Sequence, residues 1–360
     1  MNTEPTEPGE ATEPKRRKRG PSIADVAALA GVSNQTVSRV ANNRTNVDPD
    51  TREKVLAAME ILGYRPNTAA RALVTGQFRM IGVISFDLSG IGNARTLASI
   101  SAAAQEAGYS INLVGVRAPT EQAVREAYTG LTVQAVDGIV LVQAQLLDTP
   151  TLRLPPGVPL VIVAGQQHQR YPVVDTNQAE GARLATRHLL SLGHRTVWHV
   201  AGPRDSPSAR QRAEAWHSTV KDAGAPVPPV VYGDWTADSG YRAGLRLAGE
   251  PELTAVFAAN DQMALGVIRA LWETGRRVPE DVSIVGFDDI ADSSCYLPPL
   301  TTVHQEFEQV GRECLDSLLH QIRHGQDSPP PPSRLRPRLV VRRSTMAVRA
   351  GRAEFSPSGD

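Results

Sequence analysis

Beyond Met80 the sequence settles into one rhythm, a short apolar run followed by an amphipathic stretch of helical length, repeated many times. The runs read MIGVISF, SINLVGV, DGIVLVQ, PLVIVA, TVWHVAG, AVFAAN and VSIVGFDD. Such a run has no polar face to leave in water and must be covered on both sides. Parallel strands with helices on either face meet that need. About 260 residues of this alternation are more than one sheet usually holds, so the pattern predicts an α/β body, residues 79–343, of two lobes built on doubly wound parallel sheets. At 360 residues and 41% hydrophobic content the chain has ample material for such cores.

The first quarter is different. Residues 1–20 are rich in Pro, Glu and Thr and then abruptly basic (KRRKRG), which predicts a disordered, basic-ended tail. From Ser22, a candidate N-cap, Ile23, Val26, Ala27 and Ala30 recur at helical spacing, and Gly31 ends the helix. Ser33 caps a second helix with Val37 and Val40 inward. Asp48-Pro49 opens a third, carrying Val55, Ala58, Met59 and Leu62 on one stripe and stopping at Gly63. Two short helices joined by a Gly-containing turn are the helix-turn-helix motif, whose second helix enters the major groove. The domain is expected over residues 21–65.

In the second helix, Asn34 and Gln35 carry amides able to pair bidentately with adenine, and Arg39, one turn on, can do the same with guanine. Ser33, Thr36, Ser38 and Asn42 offer short polar groups suited to phosphates. An ordinary three-helix bundle shares the apolar stripes, but it has no reason to combine them with small residues at the helix crossing, a polar outward face and local positive charge. That charge is real: from Lys15 to Arg79 basic side chains clearly outnumber acidic ones, although the whole chain has a formal net charge of zero.

Other classes fit poorly. Cys295 and Cys314 are too few for a disulfide framework and wrongly spaced for zinc. No apolar leader opens the chain, and runs such as Pro159–Ala164 are too short to span a bilayer, so a cytoplasmic protein without a membrane partner is expected. There is no G-x-S-x-G elbow, H-E-x-x-H pair or Walker loop, and the glycines of GIGNARTLAS are too scattered to cradle a phosphate. Asp288-Asp289 has the composition of a catalytic pair, but adjacent residues point different ways, so a ligand contact beside a cap is the better expectation. Neither enzymatic activity, a metal nor a cofactor is expected.

The motifs also carry a resemblance. IADVAALAGVSNQTVSRVANN, TREKVLAAMEILGYRPNTAARAL, AGPRDSPSARQRAEAWH, GDWTADSGY, AANDQMALG and VGFDDIADSSCYLPPLTTVHQEF are together very specific, and they resemble the LacI/GalR family of transcriptional regulators from about Ser22 to Arg343. The resemblance implies a body of the periplasmic-binding-protein type with three chain crossings between its lobes. It also implies a homodimer that holds a pseudo-palindromic double-stranded operator and releases it when a small sugar, β-galactoside-like, binds. The alternatives are a family regulator using a co-repressor that tightens DNA binding instead, or a sugar-binding protein without enzymatic activity. A hinge over residues 66–78 would order on DNA, with Asn67 and Ala70 as contacts and Leu73 as a wedge between bases. By the same resemblance Arg212, Asn260 and Asp288 would pair ring hydroxyls, Trp235 and Phe307 would wall the sugar, and Ser208, Gln262 and Gln305 would add polar contacts. Two positions depart from the family pattern: Ala164 stands where an aspartate helps read the sugar, and Ala118, beside Arg117, where an arginine is expected. Thr96 corresponds to an isoleucine. The last residues, 344–360, carry no heptad repeat and predict a flexible tail and a dimer rather than a tetramer.

Overall fold

Each helix of the amino-terminal region starts on a cap that the sequence supplies. In α1 (Ile23–Ala30) the Ser22 hydroxyl accepts from the Asp25 amide, and the Asp25 carboxylate takes the Ser22 N–H at 2.8 Å. Gly31 closes this helix with φ 66°, a left-handed conformation costly for residues with a Cβ. In α2 (Asn34–Ala41) the Ser33 hydroxyl accepts from the Thr36 amide at 3.1 Å, and in α3 (Pro49–Leu62) Asp48 accepts from Thr51 with Pro49 in the first turn. Val26, Ala27, Val37, Val40, Val55, Ala58 and Met59 form the core between the three helices, as their spacing predicts.

The computed structural model describes residues 20–42, 44–65, 76–86, 90–117, 119–142, 152–164, 170–326 and 331–348, and the chain divides into two units, 1–77 and 78–360. The expected basic tail, the hinge residues Asn67, Ala70 and Leu73, Ala118 and most of the carboxyl-terminal tail lie outside the described residues.

In the second unit, β1 (Met80–Ser85), β2 (Ser110–Gly115), β3 (Gly138–Val142), β4 (Leu160–Val163) and β5 (Val173–Thr176) accompany α4 (Ile91–Glu106) and α5 (Glu121–Val133). The next run is α6 (Gln178–Ser191), β6 (Trp198–Ala201), α7 (Pro207–Asp222), β7 (Val231–Tyr232), α8 (Ala237–Ala248), β8 (Ala255–Ala258), α9 (Asp261–Glu273), β9 (Ser283–Asp288), a 3-10 turn (Ala291–Cys295) and β10 (Thr301–His304). The chain then forms α10 (Phe307–His324), β11 (Ser333–Leu335) and β12 (Arg338–Val340).

Two six-stranded sheets result, ordered β11-β5-β4-β3-β1-β2 and β12-β10-β9-β8-β6-β7. The first is wholly parallel; in the second only β12 runs antiparallel, against β10. Alternate residues of one strand serve opposite faces. Val140 and Val142 pack with Ile100, Cys314 and Leu318, whereas Ile139 and Leu141 pack with Val124 and Leu131. The second sheet does likewise, with Val256 and Ile284 toward Val267 and Leu271, and Phe257 and Val285 toward Trp216 and Leu189. This is the expected two-lobed, doubly wound body. The chain changes lobe between β5 and α6, between β10 and α10, and between β11 and β12, so the three expected crossings are present.

Two differences have clear causes. β5, β7, β10 and β11 are two to four residues long and partly polar, so they carry no apolar run and become strands only by pairing with their neighbours. Residues 344–348, placed in a flexible tail on the sequence, are docked. Ser344 is fully buried, its hydroxyl donating to the Ile284 carbonyl at 2.6 Å and accepting the Thr301 amide at 2.8 Å, and the Val348 amide bonds Leu192.

Candidate functional site

The outward surface of α2 is polar for a structural reason: Val37 and Val40 are consumed by the core, which turns Asn34, Gln35 and Arg39 to solvent. Thr36 and Ser38 are half-buried and partly engaged. The Ser33 and Thr36 hydroxyls share a hydrogen bond of 2.9 Å, and Asn42 caps the helix end, its side-chain amide donating to the Ser38 carbonyl at 2.8 Å.

In the second unit a cavity of about 350 Å³ opens between the lobes. Parallel strands end with their carboxyl termini toward it, the place where open α/β sheets present loops to ligands. Ala164 follows β4, Asp175 and Thr176 end β5, Pro203 follows β6, Asp234 and Trp235 follow β7, Asn260 follows β8, and Asp288 ends β9. All eight residues anticipated as ligand contacts line this cavity: Ser208, Arg212, Trp235, Asn260, Gln262, Asp288, Gln305 and Phe307. Thr96 and Ala164 line it too. Ser208 lies in the first turn of α7, because the chain turns helical immediately after the Ser206 cap.

Arg212 is the electrostatic centre. It is 4% exposed, and its guanidinium lies 3.6 Å over the Phe287 ring and 5.5 Å from that of Trp235. Nε donates to Gln178 Oε1 at 2.9 Å, Nη1 donates to the Ala259 carbonyl, and Nη2 stands 3.7 Å from Asp288. Burial pushes the Asp288 carboxyl above its ordinary value, and Arg212 followed by the Gln305 amide, donating at 2.7 Å, pull it back. Asp261, equally buried at the start of α9, belongs to the scaffold: it accepts Thr302 Oγ1 at 2.5 Å and the Ile290 amide at 2.9 Å, tying α9 to the end of β9.

Asn260 has both ends of its amide engaged. Its oxygen caps α9 by accepting the Met263 N–H, and its nitrogen donates to the Trp235 carbonyl, both at 2.9 Å. It therefore orients Trp235 as much as it faces the cavity. Trp235 itself sits at φ 72°, Asp288 at 106° and Ala164 at 57°, so three lining residues hold backbone conformations that cost energy and persist only where surroundings enforce them. Gly202 leaves room for the Trp235 ring: a Cβ there would fall within 2.6 Å of three of its carbons.

Asp288 and Asp289 do diverge. Asp289 turns from the cavity to Arg342, 2.6 Å away, and to His304 at 2.9 Å, which hold its carboxyl below the ordinary range despite burial. Sequence reasoning missed Asp175, Gln178, Asp205 and Asp234, all on the cavity wall, and Arg95 beside it. Arg95 donates to the carbonyls of Asp288 and Asp289 at 3.3 and 3.2 Å and stacks 4.4 Å over Phe307. Recognition of β5 as a strand would have flagged Asp175 at its end; nothing in the pattern around Arg95 marks it.

Comparison with known proteins agrees with this architecture. Residues 22–67 match the model of the bacterial regulatory proteins of the lacI family, and residues 186–345 that of the periplasmic binding protein-like domain. The chain is 38% identical over 311 residues to the lactose operon repressor of Escherichia coli (strain K12), covering 85% of each. Its structure is similar to that of the lac repressor dimer bound to operator and the anti-inducer ONPF, with TM-score 0.78, 34% identity, and coverage of 91% of this chain and 100% of that one. It is also similar to the complex of the transcriptional regulator CelR with cellobiose, with TM-score 0.67, 34% identity, and coverage of 90% and 99%. The chain belongs to the lacI family of bacterial regulatory proteins, as a DNA-binding transcriptional repressor.

Proposed function

We propose that the chain acts as a cytoplasmic homodimer that holds a pseudo-palindromic operator and lets it go when a small sugar, β-galactoside-like, fills the cavity between the lobes. The observation that carries this reading is the convergence on one cavity of eight polar and aromatic side chains from strand ends and from the helices and loops that follow them. A buried guanidinium, three carboxamides and a carboxylate are the groups that pair adjacent hydroxyls, and an aromatic face suits the apolar side of a pyranose ring. Similar proteins supply precedents in the anti-inducer of the lac repressor and the cellobiose of CelR.

The division of labour follows. Residues 21–65 form the DNA-reading head, with Asn34, Gln35 and Arg39 on base edges and Ser33, Thr36, Ser38 and Asn42 on the backbone. Residues 66–78 form the hinge, with Asn67 and Ala70 in contact and Leu73 wedged between bases. Residues 79–343 sense the effector and dimerise. Leu265 and Trp272, 40% and 78% exposed and seven residues apart on α9, favour an apolar contact between copies. The mechanism is a population shift: sugar binds one lobe arrangement better than the other, and the hinges pair in only one of them.

Operator release by the full chain, titrated against galactosides, glucosides and xylosides, tests the reading. Release by at least one of them is expected. Leu73→Ala should weaken operator binding far more than it lowers thermal stability. A protein that stays on its operator with every sugar would overturn the proposal.

A further inference from the structure

The two sides of the cavity are unequally equipped. Val163, Ala164, Phe307 and Val310 give the first lobe's side an apolar stretch beside the uncharged Asn93, Thr96 and Thr176, and among the described residues lining that side Asp175 is the one ionisable group. Asp175 stands on the strand beside Ala164: β4 and β5 pair Val163 with Val174, and the Ala164 N–H donates to the Val174 carbonyl at 3.2 Å. The carboxyl group missing at position 164 is thus present one strand over.

Asp175 is also wired to the far wall. The Gln178 amide donates to Asp175 Oδ1 at 3.1 Å and to Gln305 Oε1 at 3.2 Å, and Gln305 in turn donates to Asp288. Gln178 and Gln305 sit where the chain passes from one lobe to the other, so a buried relay of hydrogen bonds joins one carboxyl group in each lobe through two of the crossings. Arg212 closes the relay with its donors directed at Gln178, Ala259 and Asp288. Among the described lining residues it is the only arginine or lysine, against four carboxyl groups, Asp175, Asp205, Asp234 and Asp288.

We propose that Asp175 is the effector-reading carboxyl group of the first lobe, and that the cavity takes an uncharged sugar and excludes phosphorylated and uronic-acid forms. The inference rests on the sugar reading above and specifies it. An anionic sugar would meet the buried carboxyl groups of Asp175 and Asp288 and the exposed ones of Asp205 and Asp234, where the one arginine among the described lining residues is already committed to the protein. A hydroxylated neutral ligand fits, because a carboxyl group has more acceptor positions than its Gln178 and Thr176 partners use. Burial pushes the Asp175 carboxyl up to about 7 against the opposing pull of its Gln178 and Thr176 hydrogen bonds, Arg212 and Arg334, so near neutrality it can donate to a hydroxyl as well as accept from one.

The test uses the full chain bound to fluorescent operator DNA. Methyl β-galactoside, methyl β-glucoside, methyl β-xyloside, lactose and cellobiose are titrated first, then the 6-phosphate, the uronate and the single-deoxy forms of the best releaser. The neutral sugar should release the protein, with the phosphate and uronate at least a hundredfold weaker. Asp175→Ala should raise the midpoint at least tenfold, and Asp175→Asn, which keeps the shape, by less. One deoxy sugar that is weak on the parent protein should lose nothing further on Asp175→Ala, which identifies a direct contact rather than a structural role. Release insensitive to residue 175, deoxy penalties unchanged in the variant, or full activity of the phosphorylated sugar would each overturn the proposal while leaving the sugar reading intact. Release by no sugar at all would overturn both.

Discussion

Gly202→Ala is the smallest change that should disable the cavity without touching a group that lines it. The added methyl would lie within 2.6 Å of three Trp235 ring carbons, whereas ordinary contacts begin near 3.4 Å, so the ring must retreat by close to an ångström. Its backbone cannot follow, being pinned at φ 72° with its carbonyl held by Asn260. The ring must therefore turn about its side-chain bonds and lose its place on the cavity wall. Crowding of this kind costs stability about 1–3 kcal/mol. Losing an aromatic platform under a sugar costs binding about 2 kcal/mol, or roughly thirtyfold in affinity. Calorimetric titration with whichever sugar releases the operator gives the second figure and thermal unfolding the first. The companion double variant Gly202→Ala/Trp235→Ala should be non-additive, the glycine change adding little once the ring is gone. Sugar affinity within twofold of the parent protein, with the two changes adding independently, would refute the argument that this glycine seats the tryptophan.

Three further outcomes follow from particular contacts. The Asp175 carboxyl keeps its proton up to about 7 in the folded chain, whereas the unfolded chain releases it near the ordinary 3.8. Its contribution is therefore complete below the lower value and is lost as pH rises through the upper one, so Asp175→Asn should gain on the parent between pH 4 and 7.5 by at most about 4 kcal/mol, read from denaturation at each pH; a gain independent of pH would contradict this. A Cβ on Gly266 would collide with backbone at Ala237 and Tyr241, so Gly266→Ala should force α8 and α9 apart and cost about 3 kcal/mol or more, and an unchanged melting temperature would contradict that close approach. Arg39→Ala should cost about 1–3 kcal/mol of operator affinity and relax the preference for operator over unrelated DNA, in a competition gel shift; equal losses on both DNAs would assign Arg39 to phosphates.

How much was legible in the sequence depended on how local the cause was. The caps at Ser22, Ser33 and Asp48 and the stops at Gly31 and Gly63 act within a few residues and could be read directly. Most long apolar strands announced themselves because both of their faces are buried, while β2, at a sheet edge, carries an apolar run that stays partly exposed. β5, β10 and β11 did not: VVDT, TTVH and SRL are strands only because their neighbours offer unpaired edges. That omission carried into the site, where Asp175 and Gln178 flank a strand end the pattern concealed. The anticipated contacts were found by resemblance, and they meet in one cavity. Arg95 works through carbonyls supplied by residues nearly two hundred positions away, and no local signal can report such a partner.

The threefold passage of the chain between its lobes has a consequence for how the protein is made. β11 must pair with β5, some 160 residues earlier, and α10 supplies Val310, Cys314, Leu315 and Leu318 to the first lobe's interior. While the ribosome is still reading the last quarter of the message, the lobe translated first has an open flank and an incomplete interior, and the other lacks its closing edge. A late stop codon would therefore damage both halves at once, and assembly must wait for distant segments to meet, a slow step during which sticky surfaces stay uncovered.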